Sequence, residues 1–307
     1  MQNFQWFKDF QSNFSGRLAW NERLAQHTYY QVGGPAQLLA LPKSLKDLEW
    51  IAQGIQENTC PYFIMGLGSN VIASDAGYSG LLIKSTQLNQ EVKVLSSSEH
   101  SIQLWTGGSV SLFSLVRKAA HEGWEGLEFL TGIPGSVGGA VRMNAGTHLG
   151  EVKNALIQVQ AYCLEKKKFL TFEKDQLLFQ YRKNLFLPSS AIVWSAVWKL
   201  KPGDPRTIKK LVHQTLQRRK MTQPTLLPSC GCIFKNPKGL KAWEIIDHLG
   251  LRGYRIGNAQ YSQCHSNFIV NLGQAKASEI CQLIQLAQKE AKERLGIDLE
   301  EEVIYIK

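Results

Sequence analysis

What this 307-residue chain lacks narrows its class before any motif is read. No segment reaches the roughly 20 consecutive apolar residues that a membrane-spanning helix needs. The N-terminal stretch MQNFQWFKDFQSNF carries an acid and several amides instead of the basic-then-apolar order of a signal peptide. Cysteine is sparse, with six residues scattered at 60, 163, 230, 232, 264 and 281. That usage argues against a disulfide framework and for reduced thiols in a cytoplasmic protein. Dense basic runs are also few. The formal net charge is +10, yet the basic residues are spread along helical stretches or sit in short runs such as Lys166–Lys168, and the only dense run is Arg218, Arg219, Lys220. A nucleic-acid footprint is normally a broader basic face with aromatic residues between the charges. The charge is read as a solvated surface or as a match to phosphorylated small ligands.

The remaining composition, 44% hydrophobic and 20% charged, is that of a globular protein long enough for two or three domains. Leu45, Leu48, Ile51, Ala52 and Ile55 recur at helical spacing behind Ser44, which predicts a helix over 44–56 with a serine cap. Strands are predicted at 62–66, 81–85, 102–107, 157–164, 191–200 and 267–271, with a last one in EVIYIK. Further helices are predicted at 109–123, 206–220, 240–250 and 277–296. KPGDP (201–205) is the clearest linker, because Pro and Gly punctuate it, and a break is expected near 201–206. No internal repeat or low-complexity tract is found, and the composite is α+β.

Two glycine-rich segments stand out. GLGSN (66–70) follows a buried strand and could bring backbone N–H groups and the Ser69 and Asn70 side chains to an anion. It is neither a Walker A loop nor a full Rossmann turn, so alone it is equally a structural turn or a phosphate cradle. GWEGLEFLTGIPGSVGGAVRMNAG (123–146) is more specific. It has no acid after Glu128, and Gly132, Gly135, Gly138 and Gly139 leave so little side-chain bulk that backbone can wrap a large planar or diphosphate ligand. The alternative is a tight β-rich turn cluster.

Seven blocks in order carry a resemblance to one family: HTYYQVGGPA (27–36), MGLGSNVI (65–72), GLEFLTGIPGSVGGAVRMNAG (126–146), FQYRKNLF (179–186), PSCGCIFKNP (228–237), HSNFIVN (265–271) and LEEEV (299–303). The chain resembles the UDP-N-acetylenolpyruvoylglucosamine reductase (MurB) family from about Leu24 to its C-terminus. The resemblance implies a two-lobed FAD-binding region of the vanillyl-alcohol-oxidase type plus a C-terminal substrate domain. The boundaries expected are 1–85 and 86–205 for the lobes and 206–298 for the substrate domain, with 299–307 returning to the first lobe. It implies FAD and NADPH as cofactors, no metal, and a UDP-sugar enolpyruvyl ether as substrate, in cytoplasmic peptidoglycan precursor synthesis by a monomer. Only 35 residues separate Arg182 from Arg218, and the strand and helix expected there fill most of them, so the type without a tyrosine-bearing loop is expected. The competing classes are another FAD-dependent oxidoreductase acting on an alcohol or hydroxy acid, and a nucleotide- or nucleic-acid-binding module.

The implied site follows residue by residue. FAD falls to Gly66, Leu67, Gly68, Ser69 and Asn70 and to Thr131, Gly132, Ile133, Pro134, Gly135, Ser136, Gly139 and Ala140. Arg182 matches the family's substrate-carboxylate arginine, and its fork suits an enediolate. Glu302 matches a second catalytic residue, which helps beside a carboxylate only if protonated or relaying a proton. Cys232 stands where the family usually has a serine proton donor; a thiol is a stronger acid than an aliphatic hydroxyl, so it is read as the general acid. Cys230-x-Cys232 as a metal or redox pair, or Cys232 as a small buried residue, are the alternatives. Tyr181, Lys220, Asn236 and His265 fall where the family binds substrate.

Overall fold

The computed structural model describes residues 11–307; the first ten, within the stretch read above for a signal peptide, lie outside the described residues. The chain divides into two compact units. One takes in residues up to Trp20, Leu38–Leu67 and Gly80–Leu216; the other takes in Asn21–Gln37, Gly68–Ser79 and Gln217–Lys307. The chain passes from one to the other within the strands Arg17–Arg23, Pro35–Leu41 and Tyr78–Lys84.

The first unit has two hydrophobic cores. One lies under the helix Leu45–Asn58, whose Leu48, Ile51, Ala52 and Ile55 form the expected buried stripe against Leu38, Leu81 and Ile83. Ser44 starts this helix with a full capping box, and Thr59 ends it in the left-handed region at φ 46°. Tyr62–Met65 and Tyr78–Lys84 run parallel in the adjoining four-stranded sheet. The other core lies behind an antiparallel sheet ordered Lys168–Glu173, Leu156–Cys163, Ala191–Pro202, Ile102–Gly107, Val92–Ser97. The central strand, Ala191–Pro202, is buried along most of its length, which is why its sequence is a nearly continuous apolar run. Its Trp198 is fully buried and donates Nε1–H to Thr106 Oγ1 at 2.8 Å, satisfying the polar edge of the ring.

The KPGDP segment is not the break expected of it. Lys201 and Pro202 extend the central strand and pair with Glu125 and Trp124. Pro205 opens the helix Pro205–Thr222, and Asp204 accepts bonds from the Arg206 and Thr207 N–H groups at 3.2 and 3.0 Å. Ile208 and Val212 of that helix pack beside Val116, Ala119 and Trp124, so its first twelve residues belong to the first unit.

The second unit packs around Tyr30, Ile233, Phe234, Ile246, Tyr261, Ile269 and the helix Ala277–Leu295, which buries Ile280, Leu283, Ile284, Ala287 and Ala291. Gly296 closes that helix at φ 68°, and Asp75 accepts the Ala277 and Ser278 N–H groups at its start at 2.7 and 2.9 Å. The last strand, Ile304–Ile306, runs parallel to Val71–Ala73 in the same unit. All six cysteines are free thiols.

One buried carboxylate ties the first helix to the chain before it. Asp47 accepts bonds from Ser15 N–H and O–H, Lys43 N–H and Ser44 N–H at 2.6–3.1 Å. Burial alone would raise its carboxyl, but these bonds outweigh burial and hold it below the usual carboxylate range. A lowered folded-state pKa contributes stability that is full above the unfolded value, about 4, and is lost as pH falls through the folded one. Asp47→Asn is expected to destabilise by about 1–3 kcal/mol at pH 7. The gap in urea midpoint between variant and parent should narrow as the pH is lowered below that range.

Candidate active site

In the first unit the strand Tyr62–Met65 delivers Gly66 directly against Ser136: a Cβ on Gly66 would stand 3.1 Å from Ser136 Oγ. The two glycine segments therefore meet there. Ser136 caps the short helix Val137–Met143, its Oγ accepting the Gly139 N–H at 3.3 Å. Gly132 lies at φ 73°, a conformation that favours glycine. Ile133 and Val137 spend their N–H groups on Leu130 and Val110 carbonyls, whereas those of Gly132, Gly135 and Ser136 have no acceptor within the protein among the described residues. Thr131 Oγ1 is buried without a partner there. Unpaired donors, little side-chain bulk and no carboxylate suit a diphosphate-bearing dinucleotide, so these residues fit FAD.

Tyr181 and Arg182 form the two-residue loop of a hairpin in which Phe179 pairs with Asn184 and Gln180 with Lys183. Arg182 lies at φ 56°, donates Nη2–H to the Gly146 carbonyl at 2.9 Å, and stacks with its guanidinium carbon 5.0 Å from the Tyr181 ring centre.

In the second unit, residues 233–235 pair with 300–302. Glu302 N–H donates to Ile233 O and Lys235 N–H to Glu300 O, both at 2.8 Å, around an antiparallel Phe234–Glu301 bridge. This pairing brings Cys232 and Glu302, 70 positions apart, to the same place. Cys230 lies near both: burial pushes its thiol well up, and nearby Cys232 and Glu302 push the same way against a hydrogen bond with Tyr30. A buried thiol held protonated is inert, so Cys230 is a packing residue and not half of a redox pair. Cys232 is half-buried, preceded by Gly231 at φ 86°. Asn70, at the end of the first glycine loop, donates Nδ2–H to Glu302 O at 3.0 Å, and Ile304 N–H returns a bond to Asn70 O. Gly68 fits closely over His27: a Cβ there would stand 2.3 Å from the His27 carbonyl oxygen.

The substrate residues expected from the sequence are less uniform. Lys220 is exposed on its helix. Asn236 uses Oδ1 to accept the Ala242 N–H at 3.0 Å and so holds the start of the helix Ala242–His248. His265 has a buried Nδ1 without a partner among the described residues. Burial holds its imidazole below the usual value and Arg252 and Arg219 reinforce this, so the ring is neutral at pH 7. Arg219 is the residue that sequence reading passed over. Burial pulls its guanidinium down while Cys232 acts in the opposite sense, and Arg219 also acts on His265. The helical period would have found it: 208, 212, 215 and 219 follow one stripe, and Lys220 lies off it.

Comparison with known proteins bears on the whole chain. A family model for the UDP-N-acetylenolpyruvoylglucosamine reductase C-terminal domain matches residues 223–306, and one for an FAD binding domain matches residues 36–164. A UDP-N-acetylenolpyruvoylglucosamine reductase of Clostridium tetani is 36% identical over 98% of this chain and 97% of its own. One of Geotalea uraniireducens is 40% identical over 94% of this chain and 93% of its own. The crystal structure of the reductase (MurB) from Thermus caldophilus superposes with a TM-score of 0.79 at 35% identity, covering 95% of this chain and 99% of that one. With its glycine-rich FAD-binding domain and a C-terminal domain of the same family, this chain belongs to the UDP-N-acetylenolpyruvoylglucosamine reductase family.

Proposed function

We propose that the chain catalyses the NADPH-dependent, FAD-mediated reduction of UDP-N-acetylglucosamine enolpyruvate to UDP-N-acetylmuramate, a step of peptidoglycan precursor synthesis. The observation that carries the reading is the pairing of 233–235 with 300–302, which gathers a thiol and a carboxylate on adjoining segments. Bound FAD supplies the hydride that no side chain can, taken in turn from NADPH. The chain's own residues bind, orient and protonate. The N–H groups of Gly132, Gly135 and Ser136 hold the cofactor's diphosphate, with the 66–70 loop as a second contact. Arg182 grips the substrate carboxylate in the bidentate geometry that a developing enediolate strengthens. Cys232 delivers the proton to the α-carbon, and Glu302 on the adjoining segment stabilises or relays that proton. Lys220, Asn236, His265 and Tyr181 bind the sugar nucleotide. Among the described residues no helix is long and apolar enough to cross a membrane. A cytoplasmic setting follows from the proposed UDP-sugar substrate.

The reading is tested by purifying the chain, recording its flavin absorbance, and asking whether NADPH oxidation depends on the enolpyruvyl sugar nucleotide. A colourless protein, or oxidation indifferent to that substrate, overturns it. Cys232→Ser is expected to retain substantial turnover. Cys232→Ala should still let NADPH bleach the flavin but cut steady-state turnover by about 10²–10⁴-fold, the usual worth of a positioned general acid. Near-normal turnover in the alanine variant would remove Cys232 from the role. Lys220→Ala should raise KM for the sugar nucleotide about tenfold, the worth of one charged hydrogen bond, and leave KM for NADPH unchanged. Equal shifts in both constants would count against a substrate role.

A further inference from the structure

The hairpin that presents Arg182 has little to hold it by itself. It pairs Phe179 with Asn184 and Gln180 with Lys183, with one further bond from Leu185 N–H to Leu178 O, and a lone two-stranded hairpin is marginal in water. Its loop adds strain, because Arg182 occupies the left-handed region at φ 56°, a place where Gly or Asn is normal and a long side chain is disfavoured. Something outside the hairpin must over-determine this geometry.

Three tethers run to residues 142–146. Asn144 Nδ2–H donates to the Gln180 carbonyl at 3.1 Å, Asn184 Nδ2–H donates to the Arg142 carbonyl at 2.7 Å, and Arg182 Nη2–H donates to the Gly146 carbonyl at 2.9 Å. Asn144 is the most constrained of these. It is fully buried, its Oδ1 accepts the Lys153 N–H at 3.1 Å, and its Nδ2 donates a second bond to Glu151 Oε2 at 2.5 Å. One carboxamide thus uses both hydrogens and its oxygen to lock three stretches of chain together, immediately beside the loop that bears the arginine. A plainer account is available: Asn144 ends the helix Val137–Met143 at φ 44°, where Asn is a common left-handed cap. A cap needs only the backbone conformation, and glycine would serve it as well or better. The three side-chain bonds are what a cap does not need.

We propose that Asn144 is a positioning residue for Arg182: its buried carboxamide fixes the strained hairpin whose loop carries the guanidinium. The proposal rests on the substrate role of Arg182 put forward above, and its test separates the two.

Asn144→Gly is the informative variant, since glycine keeps the left-handed backbone and removes only the side chain. Measured on the flavin-loaded enzyme, kcat/KM for the enolpyruvyl sugar nucleotide should fall about tenfold or more, as misplacement of a substrate clamp does. The rate of flavin reduction by NADPH should stay within about twofold, because that half-reaction does not use the Arg182 clamp. In an Arg182→Ala background the same substitution should cost less than about twofold, since coupled residues are non-additive. Amide hydrogen exchange over 179–184 should rise about tenfold in the variant while the sheet strands remain protected. Asn144→Asp keeps the cap and the acceptor for Lys153 N–H but turns the donor into an anion facing Glu151 and the Gln180 carbonyl, so it should lose as much as glycine. Unchanged hairpin exchange in Asn144→Gly, or an equal loss of kcat/KM with and without Arg182, overturns the proposal. If the parent enzyme ignores the sugar nucleotide, the functional reading falls and the exchange measurement alone decides the positioning role.

Discussion

The second unit depends on how one buried side chain treats one residue's backbone. Phe234 faces Glu301 as the wide pair of an antiparallel bridge, so its own N–H and C=O point away from that partner. Among the described residues no further strand meets them. Asn267, 2% exposed, does so instead: its Oδ1 accepts the Phe234 N–H at 3.0 Å and its Nδ2–H donates to the Phe234 carbonyl at 2.8 Å. Its own carbonyl takes the Ile233 N–H at 2.9 Å. A carboxamide has the donor and acceptor of a peptide group and can stand in for a missing strand, without which two buried backbone groups would each lose about 1–3 kcal/mol. The segment carrying Cys232 is therefore held on one side by Glu300–Glu302 and on the other by Asn267. The proposed chemistry of this unit needs both.

The first unit solves a different problem by leaving groups unpaired. Around 131–136, N–H groups without protein acceptors are kept where glycine and small side chains allow close approach. Such donors are tolerable only where water or a ligand takes them. The contrast has a physical basis. An acid that donates one proton must be placed in a defined direction, which demands a saturated hydrogen-bond frame; a diphosphate needs many donors at once, which demands a frame left open.

Much of this was legible in the sequence, for reasons that can be named. The helices 45–58 and 277–295 have apolar stripes of helical period, the first also a serine cap, and such local signals survive tertiary packing. The glycine segment pointed to a ligand because its density exceeds what an ordinary structural loop needs, with a tight turn cluster as the alternative. What escaped were features set by distant partners. KPGDP has the composition of a linker, but pairing with Trp124–Glu125 and the packing of Ile208 and Val212 decide its fate, and neither can be read from five residues. The run Arg218–Lys220 shows three cations, and only the stripe through 208, 212, 215 and 219 picks out the one that turns inward. Asn144 and Asn267 are invisible as functional residues, since an asparagine in a loop is usually just a turn former.

The position of Arg219 bears on why a thiol could stand where the family usually has a serine. As the proposed acid, Cys232 would leave an anion in a half-buried place, near the carboxylate of Glu302 and a Cys230 thiol that burial keeps neutral. A thiol parts with a proton more readily than an aliphatic hydroxyl, but its anion is large and still loses solvation there. The partly buried guanidinium of Arg219 acts on Cys232 in the sense that favours opposite charge, and it cannot lose its own proton near neutral pH. The Arg219 guanidinium thus balances the charge that the proposed acid would leave behind.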